Sequence, residues 1–103
     1  MTPEVIWTWA AECDLQKYFE EWEDGQDGSG VKLILRVEKA MELLLRFPHM
    51  APAWKGPIRR LVIRRSSLGL FYVPEQRGVI VIAVTDLRQN PERLEKDLRS
   101  RLP

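Results

Sequence analysis

Cysteine and histidine are almost absent from this sequence, which has one of each, Cys13 and His49, among 103 residues. A lone cysteine cannot form an internal disulfide, and small secreted domains usually need several, so we expect a reducing, cytoplasmic location. A zinc site needs several cysteine or histidine ligands, so no metal site is expected. A catalytic Cys13–His49 pair would have to join the first helix to a distant loop, so a buried thiol and a loop imidazole are the favoured interpretation.

Long apolar runs and targeting signals are also missing. The chain begins Met1-Thr2-Pro3-Glu4, without a basic start followed by an apolar run, so no signal peptide is expected. No stretch approaches the length needed to span a bilayer, so no membrane partner is expected. Gly25, Gly28 and Gly30 follow a predicted helix rather than a strand, which indicates a linker and not a phosphate-binding loop. No cofactor is therefore expected.

Charge is distributed unevenly, although the net charge is only +1. Residues 1–30 contain one basic residue, Lys17, and eight acidic residues, a net charge of about −7, so the remainder carries about +8. The densest group of cations, called the basic cluster below, is Lys55, Arg59, Arg60, Arg64 and Arg65. Arginines at this density can bind phosphate or carboxylate groups of a partner, or they can pair with the acidic first helix; both interpretations stay open.

Hydrophobic periodicity predicts a single α+β domain over residues 1–103, with a two-helix hairpin packed on a small antiparallel sheet. A short strand at Val5–Trp9 precedes a helix over residues 10–24. A second helix is predicted over residues 30–47, with Ser29 as its cap. This second helix is apolar around much of its circumference, so we expect it at the centre of the domain.

Three strands are predicted in the second half of the chain, over residues 58–65, 68–73 and 79–85. Alternation along the first of them places Arg60 and Arg64 on one face and Arg59 and Arg65 on the other. The last strand is apolar on both faces, so either a C-terminal helix or a partner must cover the face that the hairpin leaves open. Asn90-Pro91-Glu92 predicts the start of that helix, which runs to about residue 101 and carries a thin apolar stripe. Residues 48–57 are predicted to be irregular and contain Trp54, which we expect to stack on a partner.

Six segments, taken in this order, resemble the RelE/ParE toxin superfamily: Ala11-Glu12-Cys13-Asp14-Leu15, Leu45-Arg46-Phe47-Pro48, Ile58–Ile63, Leu68–Val73, Val79–Val84 and Arg88-Gln89-Asn90-Pro91-Glu92. The resemblance covers nearly the whole chain and implies the same fold, a helical hairpin on an antiparallel sheet. It also implies a toxin of a type II toxin–antitoxin pair, with roles in growth arrest and plasmid stabilisation. The partner would be an antitoxin that wraps the toxin with an extended or helical segment, giving a hetero-oligomer.

The superfamily divides into two functional branches. RelE-like members cut messenger RNA on the ribosome; here the resemblance implies Arg60, Arg64, Tyr72 and Arg88 for that role. ParE-like members lack such a set and poison DNA gyrase. Many members have a His-Gly-Arg-Arg-Asp-Pro-like run after the last strand, whereas this chain has Asp86 at the histidine position, where a carboxylate would repel a phosphate.

The ParE-like interpretation is therefore favoured, with no catalytic residues and with gyrase as the target. The alternatives are a ribosome-dependent ribonuclease and a non-toxic relative that only binds antitoxin. The residues expected to bind a partner are the basic cluster, with Trp54, Arg88, Leu94 and Leu98.

Overall fold

Three helices and a five-stranded sheet make up the fold in the computed structural model, which describes residues 2–103. In chain order the elements are β1 (Glu4–Trp7), α1 (Trp9–Gly25), α2 (Ser29–Arg46), β2 (Ala53–Lys55), β3 (Ile58–Val62), β4 (Leu68–Glu75), β5 (Gly78–Asp86) and α3 (Pro91–Ser100). The predicted α+β class and the helical hairpin are confirmed. None of the helices described is long and apolar enough to cross a membrane.

The strands follow the order β1-β5-β4-β3-β2 across the sheet. Strands β3, β4 and β5 pair antiparallel as predicted, but β1 pairs parallel to β5, with its register running from Glu4↔Gly78 to Trp7↔Val81. The second departure is β2, a strand of three residues in the stretch predicted to be irregular. A strand this short, close to two prolines, gives no recognisable periodicity in the sequence.

The two hairpin helices begin in different ways. Thr8 caps α1, since its hydroxyl accepts a hydrogen bond from the Ala11 N–H at 3.1 Å. The prediction that Ser29 caps α2 is wrong, because Ser29 is already helical and Gly28, at φ +86°, occupies the cap position without a side-chain bond. The Glu23 carboxylate of α1 instead accepts from the Gly30 N–H at 2.9 Å.

Helix α2 does not lie at the centre of the domain, which corrects the sequence-based prediction. It lies on one face of the sheet and buries Leu33, Val37 and Leu44, whereas its outer side exposes Val31 and Leu35 by 53% and 57%. Apolar residues around the whole helix therefore reflect one buried face and one unusually apolar solvent-facing side.

Two apolar cores lie on opposite faces of the sheet. The hairpin covers one face, where Leu33, Val37 and Leu44 pack against strand residues such as Leu70 and Val81. Helix α3 covers the other face, burying Leu94 and Leu98 with Ile58, Phe71, Val73, Ile82 and Ala83. The expectation that β5 is covered on both faces is thus met by α3 itself. Asn90 caps α3 as predicted, since its side-chain oxygen accepts from the Glu92 and Arg93 N–H groups.

A β-bulge in β5 adapts that strand to both cores. Phe71 is opposite Ala83 and Tyr72 is opposite Val81, so Ile82 is an extra residue in the ladder. The bulge allows both Ile82 and Ala83 to join the core beneath α3.

The outer edge of β5 has no neighbouring strand beyond Val81, because β1 ends there. Side chains from the helices satisfy it instead. The Asp14 carboxylate of α1 accepts from the Val84 N–H at 3.1 Å, and the Arg101 guanidinium donates to the Ile82 carbonyl at 3.1 Å. The two side chains also bond each other, with Arg101 Nη1 and Asp14 Oδ2 2.7 Å apart. We call this arrangement the Asp14–Arg101 clasp; it ties the two helical layers together around the sheet edge.

The clasp is largely shielded from solvent, with the Asp14 and Arg101 side chains 19% and 22% exposed. Burial opposes the charged form of Arg101, but its bonds to Asp14 and Asp97 outweigh that effect and raise the pKa of the guanidinium. One turn further along α1, the Tyr18 hydroxyl accepts from the Asp86 N–H at 3.2 Å. Helix α1 thus satisfies two alternate N–H groups of β5.

The clasp predicts a specific loss of stability. Arg101→Ala removes the cation from the Asp14 carboxylate, which keeps only the Val84 N–H, and removes the donor to the Ile82 carbonyl. We therefore expect the free energy of unfolding in urea to fall by about 1–3 kcal/mol. Asp97→Ala removes a second contact of Arg101 but at a carboxylate that is 52% exposed, so we expect a change of about 0.5 kcal/mol or less. Equal effects of the two substitutions would contradict the clasp.

Gly78 predicts a second stability effect. Its φ is +142°, and a Cβ there would lie 1.9 Å from the Glu4 carbonyl oxygen, inside the β1–β5 pairing. Gly78→Ala is expected to lower the free energy of unfolding by about 1–3 kcal/mol or more. Gly25→Ala is the control, because a Cβ there meets no atom within 4 Å. Thermal melts of both variants test this. An unchanged melting temperature in Gly78→Ala would contradict the prediction, because it would show that β1 can shift to make room for the added methyl group.

Candidate functional site

The basic cluster is not a single patch, because its members lie in three places. Arg59 and Arg60 are within β3, but that strand ends at Val62, so Arg64 and Arg65 belong to the turn before β4. Arg65 adopts φ +56°, which is turn geometry. The predicted alternation of the four arginines over two faces therefore holds only for Arg59 and Arg60.

Arg59 and Lys55 have structural partners. The Arg59 guanidinium is half-buried and donates to the carbonyl oxygens of Ala51 and His49, at 2.7 and 3.2 Å. It thereby fixes the loop that leads from α2 into β2. Lys55 pairs with Glu95 of α3 at 3.5 Å. Arg60, Arg64 and Arg65 are exposed and remain available to a partner.

Pairing of the basic cluster with the acidic helix α1 is not seen among residues 2–103. The ion pair that α1 does form in this part of the chain joins Asp14 to Arg101 of α3. The acidic side chains of α1 and the exposed arginines Arg60, Arg64 and Arg65 therefore do not neutralise each other. The surface keeps an acidic and a basic region, each able to attract a partner of opposite charge.

Three of the residues expected to bind a partner are packed into the core beneath α3. Leu94 and Leu98 are 5% and 0% exposed, so the expectation that they contact a partner is wrong. They form the stripe by which α3 covers the sheet, so these two side chains are not accessible to another molecule. Trp54 is half-buried and packs edge-on against Phe71, with ring centroids 5.0 Å apart, so its ring is already engaged within the chain.

The four residues implied for ribonuclease chemistry do not converge. Tyr72 is fully buried and its hydroxyl donates to the Pro48 carbonyl at 2.7 Å. Burial raises the pKa of this phenol, so it stays protonated and inaccessible to a phosphate. Arg88 lies beyond the end of β5, where Asp86 is opposite Leu68, four residues along β4 from Tyr72. That spacing is about 13 Å along a strand, too far for joint action on one bond.

Asp86 and Arg88 form a compact charge pair at this end of the sheet. Arg88 Nη2 lies 2.7 Å and Nε 3.0 Å from the two carboxylate oxygens, and the Arg88 N–H also donates to Asp86 at 2.8 Å. The side-chain hydrogen bond from Arg88 is the main cause that lowers the pKa of Asp86 to about 2. Asp86 therefore stays ionised at neutral pH and offsets the charge of the exposed Arg88 side chain, so the pair has no acid that could donate a proton.

Several important residues were missed by reasoning from the sequence. Arg101 contacts Asp97, four residues earlier on α3, at 3.3 Å, but its shorter bond, at 2.7 Å, goes to Asp14 across the domain. The cations of α2, including Lys39 and Arg46, were not singled out, although they border an apolar groove beside β3. The sequence did contain an indication of that groove, because α2 has more apolar residues than one buried helix face needs.

Comparison with known proteins gives two findings. A family model described as the ParE toxin of type II toxin–antitoxin systems, parDE, matches residues 5–99. A solved structure described as the chromosomal ParDE TA system from P. aeruginosa is similar in fold, with a TM-score of 0.71 and 12% sequence identity, over 82% of this chain and 96% of that one. A search of curated proteins gave no match.

The Asp86–Arg88 pair predicts a titration. In the native protein Asp86 should titrate near pH 2, and Arg88→Ala should raise its pKa toward the ordinary value of about 3.9. Because the native pKa is lowered, the stabilisation from this pair is present above about pH 4 and is lost as pH falls toward 2. Side-chain ¹³C shifts measure the titration, with Arg93→Ala as the control. An unchanged Asp86 pKa in Arg88→Ala would contradict the pairing.

Proposed function

Because the chain belongs to the ParE family of type II toxins, we propose that it arrests growth by binding DNA gyrase and that a cognate antitoxin neutralises it. The proposed action is inhibition by binding, without bond-breaking chemistry of its own. The partner proteins would be gyrase and an antitoxin, the latter forming a hetero-oligomer with the toxin. The fold similarity to a ParDE system supports the pairing with an antitoxin.

The observation that favours gyrase over messenger RNA as the target is that the four residues implied for cleavage do not come together in one site. A ribonuclease needs a proton-transfer group and phosphate-binding cations at one place. Tyr72 is buried against Pro48, and Arg88 is held by Asp86. Arg60 and Arg64 are exposed, but they have no proton-transfer group beside them from this set.

The exposed residues on the α3 side of the sheet form the surface we propose for gyrase. Arg60 and Ile58 are two residues apart on β3, so their side chains share this face, and Ile58 belongs to the core beneath α3. Arg60 is exposed there, and Arg93 and Lys96 are exposed on α3. A cationic surface carried on a rigid sheet and helix can bind an acidic protein surface without reorganising.

A supercoiling assay with the purified chain tests the proposal. We expect inhibition of gyrase with accumulation of cleaved DNA, and we expect Arg60→Glu to weaken inhibition by about tenfold. Lys32→Glu makes the same change in net charge on exposed α2 and is the control, expected to leave inhibition unchanged.

Two other outcomes would contradict the gyrase proposal. Cleaved messenger RNA in growth-arrested cells, lost on Arg88→Ala, would favour the ribosome-dependent ribonuclease. Harmless expression of folded protein without any antitoxin would indicate a relative that only binds its partner.

A further inference from the structure

Strand β1 has one edge without a neighbouring strand. It is the first strand in the order β1-β5-β4-β3-β2, so β5 lies along one side of it and no strand within residues 2–103 lies along the other. A free strand edge is a row of N–H and C=O groups that can pair with another chain. Natural edges are often protected by lysine, an internal proline or a bulge, but β1 reads Glu4-Val5-Ile6-Trp7 and pairs with β5 in an unbroken register.

The direction of each backbone group in β1 follows from its bonds to β5. The N–H groups of Glu4 and Thr8 donate to carbonyl oxygens of the β5 side, at 2.7 and 3.1 Å. Alternate residues of a strand bond on the same side, so Ile6 also bonds toward β5, whereas the N–H and C=O groups of Val5 and Trp7 point outward. Four backbone hydrogen-bonding groups of β1 are therefore directed away from the sheet.

Large apolar side chains beside this edge are exposed. Ile6 is 51% exposed, and Trp9, which follows the end of β1 by two residues, is 79% exposed. An exposed tryptophan and an exposed isoleucine next to unpaired strand backbone are typical of a surface that binds another polypeptide.

From these features we infer that two copies of this chain pair along β1, about a two-fold axis, and form one antiparallel sheet across both copies. The inference goes beyond the proposed toxin function and does not depend on it. The outward groups fix the register, because Val5 of one copy and Trp7 of the other exchange both of their N–H···O=C bonds. Symmetry repeats this exchange, and Ile6 lies on the axis opposite Ile6 of the second copy.

The same register favours a second copy over an unrelated strand. It places Glu4 opposite Thr8 of the second copy, so no two like charges face each other across the pairing. It also brings Pro3 of one copy beside the exposed indole of Trp9 in the other, where the proline ring can cover it. The edge is therefore complementary to itself, as a two-fold contact requires.

The dimer would leave the proposed gyrase surface free. A two-fold axis perpendicular to the sheet keeps both hairpins on one face and both α3 helices on the other. The contact is short, because β1 has four residues, so we expect a buried area of about 1,000 Å² or less and a dissociation constant on the order of 10–100 µM.

The Ile6 contact on the axis is tested by sedimentation velocity of the full chain between about 1 and 300 µM. We expect Ile6→Lys and Ile6→Glu each to weaken dimerisation by about tenfold or more, because each places two like charges opposite one another. An equimolar mixture of the two variants is expected to regain the dimer, since a lysine then faces a glutamate. Val62→Lys is the matched control, because Val62 is 53% exposed on β3, and it is expected to dimerise as the unmodified chain does.

The backbone bonds are tested at Val5. Val5→Pro removes an outward N–H and none of the bonds to β5, whereas Val5→Ala keeps that N–H. The proline variant alone is therefore expected to lose about tenfold in dimer affinity. Circular dichroism checks that each variant is folded, and the mixture of Ile6 variants retains the test if Val5→Pro unfolds.

Loss of the dimer in both Ile6 variants and its return in their mixture would support the inference. A chain that stays monomeric over the whole concentration range would overturn it, without bearing on gyrase inhibition or antitoxin binding. A dimer that survives Ile6→Lys and Ile6→Glu would place the contact elsewhere and overturn the role of β1. Loss in both variants without recovery in the mixture would overturn the register.

Discussion

The backbone N–H and C=O groups on the outer edge of β5 need hydrogen-bond partners, although no strand lies beside them after Val81. The positions of α1 and α3 follow from how side chains supply these partners. Asp14 and Tyr18 are one helical turn apart on α1 and accept from N–H groups that are two residues apart on β5. Four residues of helix rise about 6 Å and two residues of strand about 6.6 Å, so the spacings match. Helix α1 therefore acts as a substitute for a strand, and Arg101 brings α3 to the same edge from the opposite face.

The sequence predicts the elements of the fold because their signals are local. Periodicity identifies α1, α2 and the three main strands, and the cap at Asn90 identifies α3. What it cannot predict is where distant segments meet: the parallel β1–β5 pairing and the bond between Asp14 and Arg101, 87 residues apart. The apolar circumference of α2 was assigned to complete burial, since composition alone does not distinguish a buried face from an exposed one kept for another purpose.

The site is predicted less well than the fold, because a dense run of charged residues in the sequence does not tell which side chains point to solvent and which bond within the domain. Nothing in the sequence distinguishes the cations Lys55 and Arg59 from Arg60. Lys55 pairs with Glu95 and Arg59 donates to the Ala51 carbonyl, whereas Arg60 is exposed. Leu94 and Leu98 were recognised correctly as a stripe but assigned to a partner rather than to the sheet. At Asp86, the carboxylate at the histidine position predicted from the sequence that phosphate chemistry is disfavoured. Its bond to Arg88 could be found only from the structure.

The distance along the chain that the Asp14–Arg101 clasp closes has a consequence for biosynthesis. A ribosome releases Asp14 early, but the bond needs a residue that emerges 87 positions later, and β1 likewise waits for β5. Contacts of such long sequence separation form late and slowly. During translation the hairpin therefore exists without the sheet edge that it completes, so the nascent chain exposes apolar surface until β5 and α3 have been made. Newly made protein is most open to capture by another polypeptide in that interval.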